Sequence, residues 1–432
     1  MFRTSAMLRG AIASMAIQGL NVGLAFAGSV VLAHVLAPAR LGVYAFVLSF
    51  ATVLTVPAMF GAPTLALREV AAAKARGDYG LMRGLLTRLH QFVAVSSVVI
   101  AAVAAIAALL TPWGRSDPAT VLWGVALIPL IPLSALRGGV LRGWGAVAQG
   151  QWPDLVLKPA VFLAGLGVVF LVGRKLGPDE AMAMTALSSL AALAVGWWLY
   201  QRLKPAQLAL AAPIYHSRVW LAALVPMGVT GGALLINGQI GVLLAGLDGA
   251  ETVGLYRPAI QTSLIASLGY TAVIAALAPR FAAAHAKANR EGLGRTAAVG
   301  ALLATVTCLP FVALFGLAGG PLMGLVFGEA YAAAGPALAV MTLAQLCNAV
   351  FGAAASALIM SGHERRAAAA FVAALLVHTG LGVVLIPRYG VDGAAWAYLG
   401  QMVVMNLILW SQARTLLGID TGVWSAWRLL RR

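Results

Sequence analysis

Apolar residues in this chain come in long runs, and the polar stretches between them are short. Twelve runs stand out, at residues 11–35, 42–62, 89–111, 119–140, 155–173, 182–201, 219–246, 254–278, 296–318, 335–360, 367–386 and 391–413. Each is about 20 residues or longer, enough for a helix to cross a hydrocarbon layer of roughly 30 Å. The pattern therefore predicts an all-α integral membrane protein of twelve transmembrane helices. Its clearest break is Arg202-Leu203-Lys204-Pro205, between the sixth and seventh runs. That break divides the chain into an N-terminal six-helix lobe, 1–205, and a C-terminal six-helix lobe, 206–432.

Charge fixes the expected orientation. With the N-terminus inside, all but six of the 29 Lys and Arg residues fall on the cytoplasmic side; the exceptions are Arg40, Arg115, Arg174, Lys175, Arg257 and Arg388. Lys and Arg bias of this kind orients membrane proteins, so both termini are expected in the cytoplasm. Trp424 and Trp427 with Arg428, Arg431 and Arg432 read as a cytoplasmic interfacial tail. The first run is expected to remain as a helix, being too long for the apolar region of a signal peptide.

Composition narrows the classes further. Residues are 61% hydrophobic and 10% charged, with a mean hydropathy of +0.92, far from soluble norms. The net charge of +16 follows from the positive-inside bias and from attraction to anionic lipid, with no nucleic-acid partner implied. Cys308 and Cys347 both lie in apolar runs and imply no disulfide framework. There is no phosphate-binding G-x-x-x-x-G-K-[ST] loop and no His/Cys cluster with metal spacing, so neither ATP hydrolysis nor a resident metal or other cofactor is expected. Asp and Glu read as confined to loops and helix ends, which leaves no paired carboxylates for acid–base catalysis inside a span. The longest hydrophilic stretches, near 68–88, 202–218 and 280–295, are read as cytoplasmic loops too short for a folded domain.

The chain also repeats itself. Leu41-Gly42-Val43-Tyr44 corresponds to Val253-Gly254-Leu255-Tyr256, and at the same offset Arg68 corresponds to Arg280. Gly177-Pro178-Asp179 corresponds to Gly390-Val391-Asp392 at an offset one residue longer. Several matches at a nearly constant offset point to duplication of a six-helix unit. Six helices restore the starting side, so the copies share one topology, an arrangement found in transporters with a substrate path between repeats.

Six segments carry a family resemblance. They are Val35-Leu-Ala-Pro-Ala-Arg-Leu-Gly-Val-Tyr44, Gly61-Ala-Pro-Thr-Leu-Ala-Leu-Arg68, Leu141-Arg-Gly-Trp-Gly145, Leu247-Asp-Gly-Ala-Glu-Thr-Val-Gly-Leu-Tyr256, Val326-Phe-Gly-Glu-Ala-Tyr331 and Ile386-Pro-Arg-Tyr-Gly-Val-Asp-Gly-Ala-Ala395. In this order they resemble the polysaccharide-transport, O-antigen flippase-like branch of the multidrug/oligosaccharidyl-lipid/polysaccharide (MOP) exporter superfamily. The resemblance implies a MATE-like fold, two six-helix bundles forming a V around a central cavity. It further implies a flippase, not an enzyme, that moves polyprenyl-diphosphate-linked oligosaccharide from the cytoplasmic to the periplasmic leaflet by alternating access. The expected setting is a bacterial inner membrane. Membrane lipids and other polysaccharide assembly proteins are the expected partners, and a proton or sodium gradient the candidate coupling. The alternative is a cation-coupled multidrug exporter of the MATE type, which usually needs carboxylates that helices 1, 2, 7 and 8 lack in their interiors. The lipid II flippase branch usually carries two further helices. A membrane-embedded glycosyltransferase or polymerase would need catalytic groups and a sizeable outer loop.

A diphosphate substrate needs cations, and Arg can bind phosphate oxygens bidentately. Arg68, Arg137, Lys158 and Arg280 lie at cytoplasmic helix ends, and Arg257 lies one turn into helix 8 from the outside. All five can equally snorkel to the interface. Gln18, Asn21, Asn237, Gln239, Gln261, Gln345 and Asn348 can bind sugar hydroxyls or tie helix to helix. His34 and His378 are candidate proton sites. Tyr44, Tyr256, Tyr331 and Tyr389 read as interfacial anchors, and Gly19/Gly23 and Gly316/Gly320 as helix-packing pairs. Pro226, Gly231 and Gly232 make helix 7 the expected hinge. Replacing Gly231 and Gly232 with alanine is expected to slow transport in a vesicle assay while membrane insertion is retained; an unchanged rate removes the hinge.

Overall fold

The structure is a computed structural model describing residues 2–110, 117–173, 176–273, 277 and 290–430. Every regular element among these residues is a helix. The first half contains α1 (Phe2–Val35), α2 (Pro38–Met59), α3 (Ala62–Arg76), α4 (Tyr79–Leu110) and α5 (Pro118–Gly143). A composite α6 follows, built from Val147–Trp152, a π-turn at Pro153–Leu157 and Lys158–Leu171, and then come α7 (Pro178–Leu203) and the short α8 (Ala206–Leu210). The second half contains α9 (Ser217–Ala245), α10 (Ala250–Ser263), α11 (Arg290–Phe327), α12 (Gly335–Phe351), α13 (Ala354–Met360), α14 (Glu364–Gln412) and α15 (Val423–Leu430). In hydrocarbon every backbone N–H and C=O must bond within the protein, which an apolar helix achieves alone.

Ten of these helical segments are long and apolar enough to cross a membrane, so the chain is a multi-pass membrane protein. The difference from twelve apolar runs has two sources. Run 254–278 begins on α10 but extends beyond the described residues. Runs 367–386 and 391–413 join in α14, which breaks at Gly390 (φ 53°, ψ −128°), just past Pro387.

The stretch 68–88, expected as a loop, is helical. Leu65, Ala66, Val70 and Ala73 of α3 share a buried face while the charged residues look outward. Gly61 (φ 81°) and Gly77 (φ 72°) bound the helix in left-handed conformations. Its buried face lies on α5, where the Gly139 Cα sits against the Pro63 backbone and Gly143 against Val70. Lys74 Nζ donates to the Trp144 carbonyl at 2.5 Å. The stretch 202–218 contains α8 and then runs along α4, where the Ile214 amide donates to the Gly80 carbonyl at 3.0 Å. The third stretch, 280–295, lies largely outside the described residues.

The chain divides into two compact units, Met1–Leu36 with Phe46–Gln239, and Ala37–Ala45 with Ile240–Arg432. Within the second unit, the start of α2 crosses α10 backbone to backbone. A Cβ on Gly42 would overlap the Ala250 carbonyl oxygen, and one on Gly254 would overlap the Pro38 carbonyl oxygen. Gly254 is as far along the chain from Gly42 as Ala250 is from Pro38. The contact is therefore reciprocal between equivalent positions, as a local twofold requires.

Three of the four tyrosines read as anchors are covered by protein: Tyr44, Tyr256 and Tyr331 are buried. Only Tyr389 is exposed. A helix-end tyrosine anchors to lipid only where no neighbouring helix covers it. Gly19, Gly23 and Gly316 have no heavy atom within 4 Å of an added Cβ, so their spacing marks no close approach.

Because Gly42 and Gly254 meet main-chain atoms, neither Gly42→Ala nor Gly254→Ala can be absorbed by a rotamer change. Each is expected to cost about 1–3 kcal/mol of overpacking and to lower the thermal midpoint in detergent. Gly19→Ala is the control and should leave the midpoint unchanged.

Candidate functional site

In the first unit, polar chemistry concentrates where α5 meets α6. Gly138 and Gly150 let the two backbones approach, since a Cβ on either would press on the other's carbonyl oxygen at 2.7–2.8 Å. The π-turn that follows presents Asp154 towards α5. Arg137 Nη2 donates to Asp154 Oδ2 at 2.6 Å and to Ser134 Oγ at 3.2 Å. The Ser134 hydroxyl in turn donates to Asp154 Oδ1. Arg137 is fully buried, and its Nη1, which has no hydrogen-bond partner among the described residues, lies against Gly196 of α7, where any Cβ would overlap it. Arg142 and Lys158 sit in the field of the same carboxylate. Three basic residues thus stand about one carboxylate, which pairs directly with Arg137.

In the second unit, a polar cluster is enclosed by α9, α10, α12 and α14. Gln345 Nε2 donates to the Tyr398 hydroxyl at 2.9 Å, and the Tyr398 and His378 rings are 6.1 Å apart. The Tyr256 hydroxyl fills the space left by Gly241, beside the His378 ring. Half-buried Arg257 lies next to Tyr44 and Tyr256, with no ion pair among the described residues.

The remaining expected residues are dispersed. Arg68 is exposed on α3 and pairs with adjacent Glu69 at 2.9 Å, a surface contact worth little. Arg280 lies outside the described residues. Gln18 is exposed and donates to Ser14 Oγ at 3.3 Å, while Asn21 is half-buried. Asn237 donates to its own helix at the Ala233 carbonyl, 2.9 Å away. Gln239, Gln261 and Asn348 are half-buried. His34 is exposed, with Nδ1 2.9 Å from the Val30 carbonyl. On α9, which runs unbroken past Pro226, a Cβ on Gly231 meets nothing, whereas one on Gly232 meets Val56 Cγ1 at 2.7 Å. The division between the two units falls on this helix, after Gln239.

Sequence reasoning did not find Asp154, which reads as a loop residue until the helix is seen to begin at Val147 and widen at Pro153. The Arg137 guanidinium was the available signal, since a cation buried at that depth needs an anion. The Tyr256–His378–Tyr398 grouping was equally hidden, because its members come from runs far apart in sequence. Among the described residues no group of His, Cys, Asp or Glu could hold a metal ion.

Residues 7–285 match the sequence profile of the polysaccharide biosynthesis protein family. No curated protein sequence matches the chain. Among solved structures, an inward-facing multidrug resistance MATE family transporter of the MOP superfamily is similar at a TM-score of 0.75 and 15% identity, over 94% of this chain and 98% of that one. The lipid II flippase MurJ in an inward closed conformation gives 0.72 at 12% identity, over 94% and 88%. A MOP superfamily transporter from Pyrococcus furiosus gives 0.64 at 16%, over 96% and 95%. At these identities the likeness establishes a MATE/MOP-like fold.

Replacing Asp154 with Asn strands the Arg137 charge inside the protein. Removing one partner of a buried pair costs about 3–5 kcal/mol. The loss should fall at the low end, because the Asp154 side chain is 30% exposed. The expected result is a clear drop in the thermal midpoint of D154N, much of it recovered when Arg137→Met is added.

Proposed function

The chain belongs to the polysaccharide biosynthesis protein family, and from that premise we propose that it is a flippase for a polyprenyl-diphosphate-linked oligosaccharide. It moves an O-antigen, capsule or exopolysaccharide repeat unit from the cytoplasmic to the periplasmic leaflet of a bacterial inner membrane by alternating access. The family match over residues 7–285 carries this reading. Twelve spans with cytoplasmic termini complete it, and a proton or sodium gradient is its proposed coupling.

Charge chemistry supports the substrate class. A diphosphate carries negative charge into a low-dielectric setting, where bidentate guanidinium contacts are strongest. Arg257 lacks a carboxylate partner among the described residues, and the one carboxylate near Arg142 and Lys158 is already paired with Arg137. A cationic drug would call for the opposite balance.

The test is mass spectrometry of lipid-linked sugars from a strain lacking the protein beside its parent. Accumulation of one polyprenyl-diphosphate oligosaccharide is the expected outcome. An unchanged lipid profile with new sensitivity to cationic dyes would assign the protein to drug export instead. Complementation with Arg257→Gln should lower flux roughly tenfold, the factor for one lost charge-assisted hydrogen bond. Arg257→Lys should retain part of the flux, keeping the charge but not the fork.

A further inference from the structure

A second cationic feature lies in the first unit and shares no residue with the Asp154 cluster. A cavity of about 170 Å³ opens between the start of α4 and the end of α7. Helical spacing aligns Arg83, Thr87 and His90 on one face of α4 and Trp197 and Tyr200 along α7, with Lys204 just past its end, and all six line the cavity. Its walls include two cations and no carboxylate.

The donors are set up for a ligand. Arg83 spends Nη1 on the carbonyls of Ala209 at 3.0 Å and Ala211 at 2.7 Å. Its Nε and Nη2, the side-on edge of the guanidinium, have no partner among the described residues. That edge matches two oxygens of one phosphate. Lys204 has no hydrogen bond or ion pair among the described residues, leaving its ammonium available. His90 Nδ1 is 2.7 Å from the Leu86 carbonyl, while Nε2 is buried without a partner. Protonated, Nε2 donates to a phosphate oxygen; neutral, it accepts from a P–OH.

Its walls are also suited to lipid. Trp197 and Tyr200 stack at 5.1 Å with 11° between planes, giving a flat apolar wall beside the charges. Trp and basic residues together at helix ends mark the membrane–water boundary. The volume corresponds to about six waters at roughly 30 Å³ each, enough for a phosphate group but not for a lipid-linked oligosaccharide. We propose that this cavity binds the phosphate group of an anionic membrane lipid, with Arg83, His90 and Lys204 as its ligands. The inference does not depend on the transported substrate.

The test is native mass spectrometry of the purified full chain with phosphatidic acid, phosphatidylglycerol or phosphatidylcholine, each with and without millimolar inorganic phosphate. Retention of an anionic lipid over phosphatidylcholine, reduced roughly tenfold in Lys204→Gln by loss of one charge-assisted contact, supports the site. Persistence of that retention in inorganic phosphate identifies the lipid as the source. Displacement at equal occupancy identifies a free phosphate site of the same chemistry. Lys204 makes no hydrogen bond or ion pair among the described residues, so its variant should keep the parent's thermal midpoint; Arg83→Gln is the second variant. Equal retention of all three lipids, or unchanged retention in both variants, overturns the proposal.

Discussion

Between helices in a bilayer, exclusion of water offers no driving force, because lipid tails are as apolar as leucine. Association must then come from close van der Waals contact and from polar ties. Close contact in this chain is bought with glycine. Gly42 and Gly254 admit a backbone carbonyl each, Gly138 and Gly150 admit each other, and Gly335 of α12 admits the Gly319–Gly320 backbone of α11. Where backbones come this near, side chains several residues away are set with little freedom. The Arg137–Asp154 pair stands one turn from the Gly138–Gly150 contact, and Tyr256 stands two residues beyond Gly254.

Polar ties then do what apolar surface cannot. A guanidinium buried among helices is stable only if an anion and hydrogen-bond acceptors share its space. Ser134 and Asp154 supply both for Arg137, each contacting Nη2. The second unit uses neutral groups instead, with an amide and two phenols around one imidazole. The two units therefore enclose different chemistry.

Much of the fold was legible because hydrocarbon thickness imposes a length on every span, and that length shows directly in the apolar runs. Gly390 was legible as a boundary, since Pro387 and Gly390 together interrupt helix geometry. Helix α3 was not. Its buried residues are few and small, so mean hydropathy there resembles a loop although Leu65, Ala66, Val70 and Ala73 share a face. Asp154 escaped for another reason, since a π-turn leaves no periodic mark and decides which way the carboxylate points. The tyrosines were misjudged because the sequence shows position along a span but not what covers it.

The crossing of α2 and α10 has a bearing on descent. After a duplication, two copies of a segment usually drift apart, since each answers only to its own surroundings. Here each of the two matching segments is the other's surroundings. Any side chain gained at Gly42 presses on Ala250, and any gained at Gly254 presses on Pro38. Change at these positions is held back by geometry whatever the protein carries, so packing alone is enough to keep the two segments alike there.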